Sequence, residues 1–373
     1  MQSKILSQKD INSIVSQVGL NELLDELISR LRTAFTELSA KNVQIPTRTG
    51  IHYSNPDLGL LEWMPASIDE GQASLKIVGY HPSNPIKRDL PTILSSIGIF
   101  DTQTGHLQCL LDGTFATALR TGAMSAIASE LMTRSKSSIT LGVIGCGAQA
   151  VTQIHSLSRL FEIERIIAYD TNSYASKSLS DRVAFTGIQV ESVSESNVVS
   201  TLLEKADILC TCTSADPGSG PLFKDFANKP HLHINAVGSD FPTKIELPIN
   251  LLRRSFVCPD FKEQAMAEGE CQKLLEHEIS TDITGLLNSR ALQQTAKDGL
   301  SVFDSTGHAY ADYMTGLMFH AFATDMGLGT EIEIESEPPD PIDPYSFLSK
   351  PAATCGSSPA KHAIRPISTA SSR

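Results

Sequence analysis

Gly145, Gly147 and Ala150 form the pattern G-x-G-x-x-A in GVIGCGAQA, directly after the apolar run Ile139 to Ile144, and Asp170 follows Ala150 by twenty residues. These types at this spacing suit a dinucleotide. Gly145 allows a tight turn, Gly147 lets the backbone approach a pyrophosphate, and small Ala150 lets the following helix pack on the sheet with its N-terminus facing the negative charge. A glycine-rich turn alone is weak evidence; the preceding strand, the following helix and RIIAYD ending in Asp170 make it strong. An acid at Asp170 can take the ribose hydroxyls and would repel a 2'-phosphate. Thr171 and Asn172 supply no compensating Arg, which favours NAD over NADP. An Asp that merely ends its strand is the alternative.

INAVGSDFPTK poses a second chemical question, because an apolar strand ends in the acid Asp240 with Lys244 four positions later. Doubly wound sheets place their ligands at the carboxyl ends of their strands, and an acid there can move protons. Capping of the turn at SDFP is the competing reading. Lys76 lies inside the apolar pattern SLKIVGY and Arg120 inside an Ala- and Gly-rich helix, where an unpaired charge is costly and an anion is wanted. A carboxylate, which Arg can grip with two parallel hydrogen bonds, is a natural one. Two further pairs, Cys210/Cys212 in ILCTCTS and His231/His233 in HLHINAV, suggest metal ligation. In a parallel sheet, however, the Cys fall mid-strand or later and the His at the start of the next strand, roughly 7–10 Å apart along the strands. Buried thiols and strand-entry histidines are therefore expected, and no metal.

Two kinds of element must position these residues. Ser7 with Asp10 opens a helical region to residue 38, in which Leu20, Leu23, Leu24, Leu27, Ile28, Leu31 and Phe35 recur at helical spacing. From about 43 to 111 short apolar runs broken by Pro, Gly and Asn read as strands of a sheet. DGTFATALRTGAMSAIASELM is then a helix whose small residues Ala118, Gly122, Ala123 and Ala126 permit close backbone approach. From 139 strands and helices alternate, which predicts a Rossmann-type doubly wound parallel sheet, an α/β fold, beside a discontinuous α+β substrate-binding and dimerisation domain. The expected boundaries are 1–135 with 305–345 for the α+β domain and 136–304 for the NAD-binding domain. A Pro-, Ser- and Ala-rich tail over 346–373 is expected to be disordered. No internal repeat is seen.

The 373 residues suit two domains, and 41% hydrophobic with 19% charged content supports a sizeable core. A net charge of -12 without a basic cluster argues against nucleic acid or an anionic membrane as partner. No signal-peptide h-region and no apolar run of about 18 residues occurs, so a cytoplasmic protein is expected. Seven scattered Cys do not make a disulfide framework.

LRTGAMSAIA followed by GVIGCGAQA, with LKIVGYHPSNP and LPTI upstream and NAVGSDFPTKIELP, EQAMAEGECQ and VFDSTGHAYAD downstream, resembles the ornithine cyclodeaminase/mu-crystallin family. EWMP at 62–65, SFVCPDFKEQAMAEGECQKL and IDPY most resemble its L-lysine cyclodeaminases of secondary metabolism. The resemblance implies that Arg48, Lys76 and Arg120 bind the substrate carboxylate and that Asp240 and Glu62 are catalytic. It also puts Lys244, Thr306 and Gly307 near the substrate. The cofactor would meet Thr92, Gly145, Gly147, Ala148, Gln149, Asp170, Thr211, Thr213, Ser214, Val237, Gly238 and Ser305. A solvated loop lysine is the competing reading of Lys244. Family members commonly have Phe and Glu where His308 and Ala311 stand, which bears on the substrate pocket.

The implied reaction converts an L-diamino acid to a cyclic imino acid plus ammonia with internally recycled NAD. Hydride leaves Cα, the terminal amine attacks the resulting imine, ammonia departs, and the hydride returns. L-lysine to L-pipecolate is favoured, with L-ornithine to L-proline next. An imine reductase or amino-acid dehydrogenase, an amino-acid-joining synthase and a non-enzymatic mu-crystallin-like binding protein are the alternatives. A homodimer is implied by the same resemblance.

Overall fold

The computed structural model describes residues 1–68, 71–134, 137–194, 198–225 and 229–348, so the expected disordered tail lies beyond the described residues except for the turn Ser346–Leu348. Gln2–Ile332 make one compact unit, and Met1 with the chain from Glu333 onward makes a second.

The N-terminal helices are Gln8–Val18 and Leu20–Glu37, separated by Gly19 at φ 94°. The capping box forms as its sequence requires: Asp10 N–H donates to Ser7 Oγ at 3.4 Å, and Ser7 N–H donates to Asp10 Oδ2 at 2.8 Å. Leu23, Leu24, Leu27, Ile28, Leu31 and Phe35 are buried, each contributing about 1.5–3 kcal/mol by leaving water. They share a core with Leu6, Ile97, Ile99, Leu119, Met124 and Phe319.

An eight-stranded mixed sheet carries the first group of strands. Its order is Thr330–Ile332, Ser3–Leu6, Leu107–Asp112, Ile93–Asp101, Gln72–Tyr80, Gly59–Ile68, Val43–Gln44, and Thr49–Tyr53 also pairs with Gly59–Ile68. The register sets Glu62 opposite Val78 and Met64 opposite Lys76, which puts all four on one face of the pleat.

The second sheet has seven strands, all parallel, in the order Val190–Ser192, Ile163–Tyr169, Ile139–Ile144, Ile208–Thr211, Leu232–Ala236, Leu300–Asp304, Phe256–Pro259. Ile139–Ile144 is buried along its whole length, as a strand covered on both faces must be. The strand order reverses at this strand, where doubly wound sheets open a crevice for a ligand. The small residues of helix Thr114–Met132 serve close approach: a Cβ on Gly122 would lie 2.5 Å from Thr152 O of the next helix, Ala148–Leu160. The helix Ala309–Asp325 returns to the first sheet, where a Cβ on Gly316 would meet Ile97, Ile99 and Leu111.

His231 precedes the strand Leu232–Ala236 and His233 lies at its start, and Cys210 is buried while Cys212 is half-buried. His233 pairs in register with Ile208 and Cys210 with Asn235; His233 Nε2–H donates to Asn235 Oδ1 at 3.2 Å, and its Nδ1 lies 3.0 Å from Ser301 Oγ. Burial pushes the His233 imidazole down to about 4 and the Cys210 thiol up to about 12, so these groups are neutral partners in the core.

Candidate active site

Gly145 adopts φ 90°, and a Cβ there would lie 2.7 Å from the Cys212 carbonyl carbon, so only glycine fits. Around Gly147 the reverse holds: a Cβ would meet no heavy atom within 4 Å, which leaves the backbone open to a large group. Helix Ala148–Leu160 starts immediately after it, and its first-turn N–H groups have no intrahelical acceptor. The fully buried Ala150 packs that helix on the sheet. Turn, opening and free donors together fit a dinucleotide pyrophosphate. Asp170 ends its strand as expected, but its carboxylate already has work. Oδ2 accepts Cys146 N–H at 2.6 Å and Oδ1 accepts Asn172 N–H at 2.7 Å, so it organises the turn.

Beside this turn an open cleft of about 650 Å³ is lined by Arg48, Glu62, Lys76, Arg120, Gln149, Val237, Asp240, Ser305, Thr306 and Gly307 among others. Ten of the residues singled out in the sequence thus converge on one space. Leu60, Met64, Val78 and Tyr80 from the antiparallel sheet and Phe241 give it an apolar wall. Thr92 precedes the lining residue Ile93, and its carbonyl accepts His81 N–H at 2.8 Å. Thr211, Thr213, Ser214 and Gly238 do not line the cleft; Thr211 ends the strand Ile208–Thr211, and the others follow that strand and Leu232–Ala236 at their carboxyl ends.

The cations do not wait unpaired for a substrate, contrary to the expectation drawn from their apolar surroundings. Asp312, 1% exposed in helix Ala309–Asp325, stands 2.7 Å from Lys76 Nζ and 2.9 Å from Arg120 Nε. Burial would raise the Asp312 carboxyl, but Arg120 and Lys76 hold it below its ordinary value. Burial pushes the Lys76 ammonium down to about 8 even with Asp312 opposing. Arg48 pairs with Glu268 and lies 3.6 Å from Glu62, while its Nη1 and Nη2 donate to Thr306 O at 2.9 Å and Asp240 O at 2.8 Å. Gln264 ties this corner together, accepting Arg48 N–H at 2.7 Å and donating to Glu268 at 2.6 Å. Burial raises the Glu62 carboxyl against the pull of Arg48.

Lys244 is not a solvated loop lysine: it is 2% exposed, with Nζ 2.9 Å from Asp240 Oδ1. Burial would lower its ammonium, but Asp240 carries it above its ordinary value. His308 and Ala311 are buried and do not line the cleft, so the departure from the family pattern falls in the core. His308 lies between the rings of Phe35 and Phe261, and its Nδ1 accepts Tyr310 N–H at 3.1 Å as the cap of helix Ala309–Asp325.

Four buried acids that hold the site went unassigned in the sequence: Asp312, Glu268, Asp260 and Glu246. Asp260 accepts Gly307 N–H at 2.8 Å and Thr306 Oγ1–H at 3.1 Å, fixing the DSTG loop. Glu246 accepts Thr213 N–H at 2.8 Å and Gly238 N–H at 2.9 Å, clasping two loops at the carboxyl edge of the sheet. An acid within the apolar helix pattern HAYADYMTGLMFHAFA was a signal for Asp312 of the same kind as Lys76 gave. Asp260 follows the apolar strand Phe256–Pro259 as Asp240 follows its own, a signal of the same kind, whereas Glu246 and Glu268 lie in mixed polar stretches and gave none. Among the described residues no cluster of His, Cys, Asp or Glu has metal-holding geometry.

Comparison with known proteins fits this geometry. Residues 8–324 match the ornithine cyclodeaminase/mu-crystallin family. An L-lysine cyclodeaminase of Streptomyces rapamycinicus is 39% identical over 93% of this chain and 100% of its own length. A lysine cyclodeaminase whose structure concerns recognition of L-lysine, L-ornithine and L-2,4-diaminobutyric acid is 41% identical, with TM-score 0.88 over 93% of this chain and 99% of that one. An archaeal alanine dehydrogenase dimer with bound NAD is 29% identical, with TM-score 0.76 over 90% of this chain and 100% of that one.

Proposed function

This chain belongs to the ornithine cyclodeaminase/mu-crystallin family, and we propose that within it the protein is an NAD-dependent cyclodeaminase of L-diamino acids, with L-lysine to L-pipecolate plus ammonia as the favoured reaction. The observation that carries the reading is the charge arrangement of the cleft. Three cations, Arg48, Lys76 and Arg120, line it together with two acids, Glu62 and Asp240, so one space offers groups for a carboxylate and groups for an ammonium, which are the two ends of a diamino acid.

Bound NAD supplies a hydride acceptor, and then a donor, at the substrate's Cα. The chain's own groups do the rest. Arg48, Lys76 and Arg120 hold the carboxylate, which fixes the direction in which Cα points. Asp240, 2.9 Å from Lys244 Nζ, takes a proton from the α-ammonium so that the amine lone pair can assist loss of hydride. Glu62, its carboxyl raised by burial, takes a proton from the terminal ammonium so that the free amine can attack Cα, and gives it to the departing ammonia. The hydride goes back to the cyclic imine, so one diamino acid yields one cyclic imino acid and one ammonia without net redox change. The apolar wall of Leu60, Met64, Val78 and Phe241 suits the methylene chain.

In this reading residues 1–135 with 305–345 serve substrate and dimer contacts and 136–304 serve the cofactor. A homodimer is supported by the face of the first sheet turned away from Glu62 and Lys76, where Ile51, Leu61, Ile77 and Leu94 are 58%, 39%, 39% and 43% exposed. Sedimentation should give a dimer, and a monomer would remove that part. Among the described residues no helix is long and apolar enough to cross a membrane, and a cytoplasmic enzyme is proposed. The reaction is tested with Cα-deuterated L-lysine and substoichiometric NAD+. Many turnovers, no lasting NADH absorbance, and deuterium kept on the ring carbon beside the carboxylate are expected. Stoichiometric NADH, or loss of the label while product forms, would favour a dehydrogenase instead.

A further inference from the structure

Each peptide unit of the Gly145–Ala148 turn is held by something outside the turn, and the last two are held by one side chain. Gly145 N–H donates to Tyr169 O at 2.9 Å, and Cys146 N–H to Asp170 at 2.6 Å. Arg182 reaches back from the last turn of helix Ser173–Arg182 to the opposite side. Its Nη2 donates to Cys146 O at 2.6 Å and its Nη1 to Gly147 O at 3.3 Å. In a planar trans peptide the carbonyl of one residue and the N–H of the next point in opposite directions. Fixing the oxygens of Cys146 and Gly147 therefore fixes the N–H groups of Gly147 and Ala148, the donors at the start of helix Ala148–Leu160. A guanidinium cation behind those carbonyls also polarises both peptide dipoles so that their N–H ends are more positive.

We propose that Arg182 is a positioning residue for the cofactor pyrophosphate, acting through the peptide planes of Cys146–Gly147 and Gly147–Ala148. This rests on the cofactor reading above. The residue carries no signature in the sequence, since it stands twelve positions past Asp170 in SDRVAF and outside the glycine pattern. Thr171 and Asn172 bring no Arg toward a 2'-phosphate, and Arg182 stands on the carbonyl side of the turn. Its third hydrogen bond, Nη2 to Ala175 O at 2.8 Å, staples the arginine to its own helix and prevents it from swinging out. Arg is suited to this task where Lys is not, because a planar fork can hold two carbonyls in fixed directions while an ammonium is a point charge.

The alternative role is a plain staple of helix Ser173–Arg182 against the turn, and the test separates the two by what each cofactor fragment feels. Arg182→Met keeps the apolar stem and helix propensity, and Arg182→Lys keeps a cation. Affinities for NAD+ and ADP-ribose, both with a pyrophosphate, are measured by calorimetry, and that for adenosine, without one, by ligand-observed NMR. Thermal midpoints report the fold. For Arg182→Met we expect NAD+ and ADP-ribose to weaken by about tenfold, the effect of losing a charge-assisted donor, with adenosine within about twofold. Arg182→Lys should fall between Met and wild type, and it carries the test if the Met variant does not fold. Unchanged NAD+ affinity in a folded variant, or loss of adenosine in proportion to NAD+, would overturn the proposal. Wild-type protein that binds adenosine but not NAD+ or ADP-ribose would overturn the cofactor reading and this one with it.

Discussion

Asp312→Asn removes the one anion shared by two buried cations, and its cost can be worked from their chemistry. Lys76 stands at about 8 in the folded protein against 10.5 unfolded, so its protonated form already costs about 3 kcal/mol at neutral pH. Without Asp312 its folded value drops further, but the cost cannot grow without limit. At pH 7 the folded protein escapes by releasing the proton, for about 5 kcal/mol relative to the unfolded chain. The added loss at Lys76 is therefore at most about 1.4 kcal/mol, the one pH unit between 8 and 7. Arg120 has no such escape, and losing its charged partner at 2.9 Å costs a further 1.5–3 kcal/mol or so. The sum, about 3–4 kcal/mol, lies within what breaking a buried ion pair costs and would lower the thermal midpoint by roughly 6–10 °C.

The two shares separate by pH. Because Lys76 titrates lower in the folded state than in the unfolded, the folded state binds fewer protons between about 8 and 10.5, and wild-type stability rises with pH there. In Asp312→Asn that rise begins at lower pH. The deficit should therefore shrink between pH 7 and pH 9 toward the Arg120 share alone. Urea unfolding at both pH values, with KM for L-lysine at each, measures this. A deficit below about 1 kcal/mol at pH 7 with KM unchanged would refute the claim that Asp312 holds these cations. A deficit that does not vary with pH would refute the assignment of part of it to Lys76.

Asp240→Asn should lower turnover by about 10²–10⁴ while NAD+ still binds, since an amide cannot accept the α-ammonium proton; retained turnover within about tenfold would exclude the general-base role. Asp170→Ala should weaken NAD+ through both the ribose and the turn it holds at Cys146, yet raise the NADP+/NAD+ affinity ratio. Calorimetry with both cofactors decides, and an unchanged ratio would mean that Asp170 does not meet the ribose. His308→Ala should cost about 1 kcal/mol by removing the helix cap, with the preference for L-lysine over L-ornithine unchanged. A changed preference in steady-state kinetics would show that His308 reaches the substrate pocket after all.

Local patterns were enough for the sequence to determine the Rossmann turn, its strand and helix, and the alternation behind the parallel sheet. Period and glycine placement are properties of neighbouring residues, and Gly145 at φ 90° needs only its own backbone to be recognised as irreplaceable. The charged residues Arg48, Glu62, Lys76, Arg120 and Asp240 were also legible, partly as charges in apolar patterns and partly through family resemblance. What the sequence could not determine was who pairs with whom. Asp312 meets Lys76 and Arg120 across separations of 236 and 192 residues, and Arg48 meets Glu268 across 220. Buried ion pairs of this kind are formed by tertiary packing, because the desolvation that makes each partner necessary arises only when strand, helix and loop close over them. For the same reason His308 resembled a pocket residue in sequence and became a helix cap between two aromatic rings in the fold. Arg182 likewise lies 35 residues from the carbonyl of Gly147, and only the placement of its helix beside the turn brings them together.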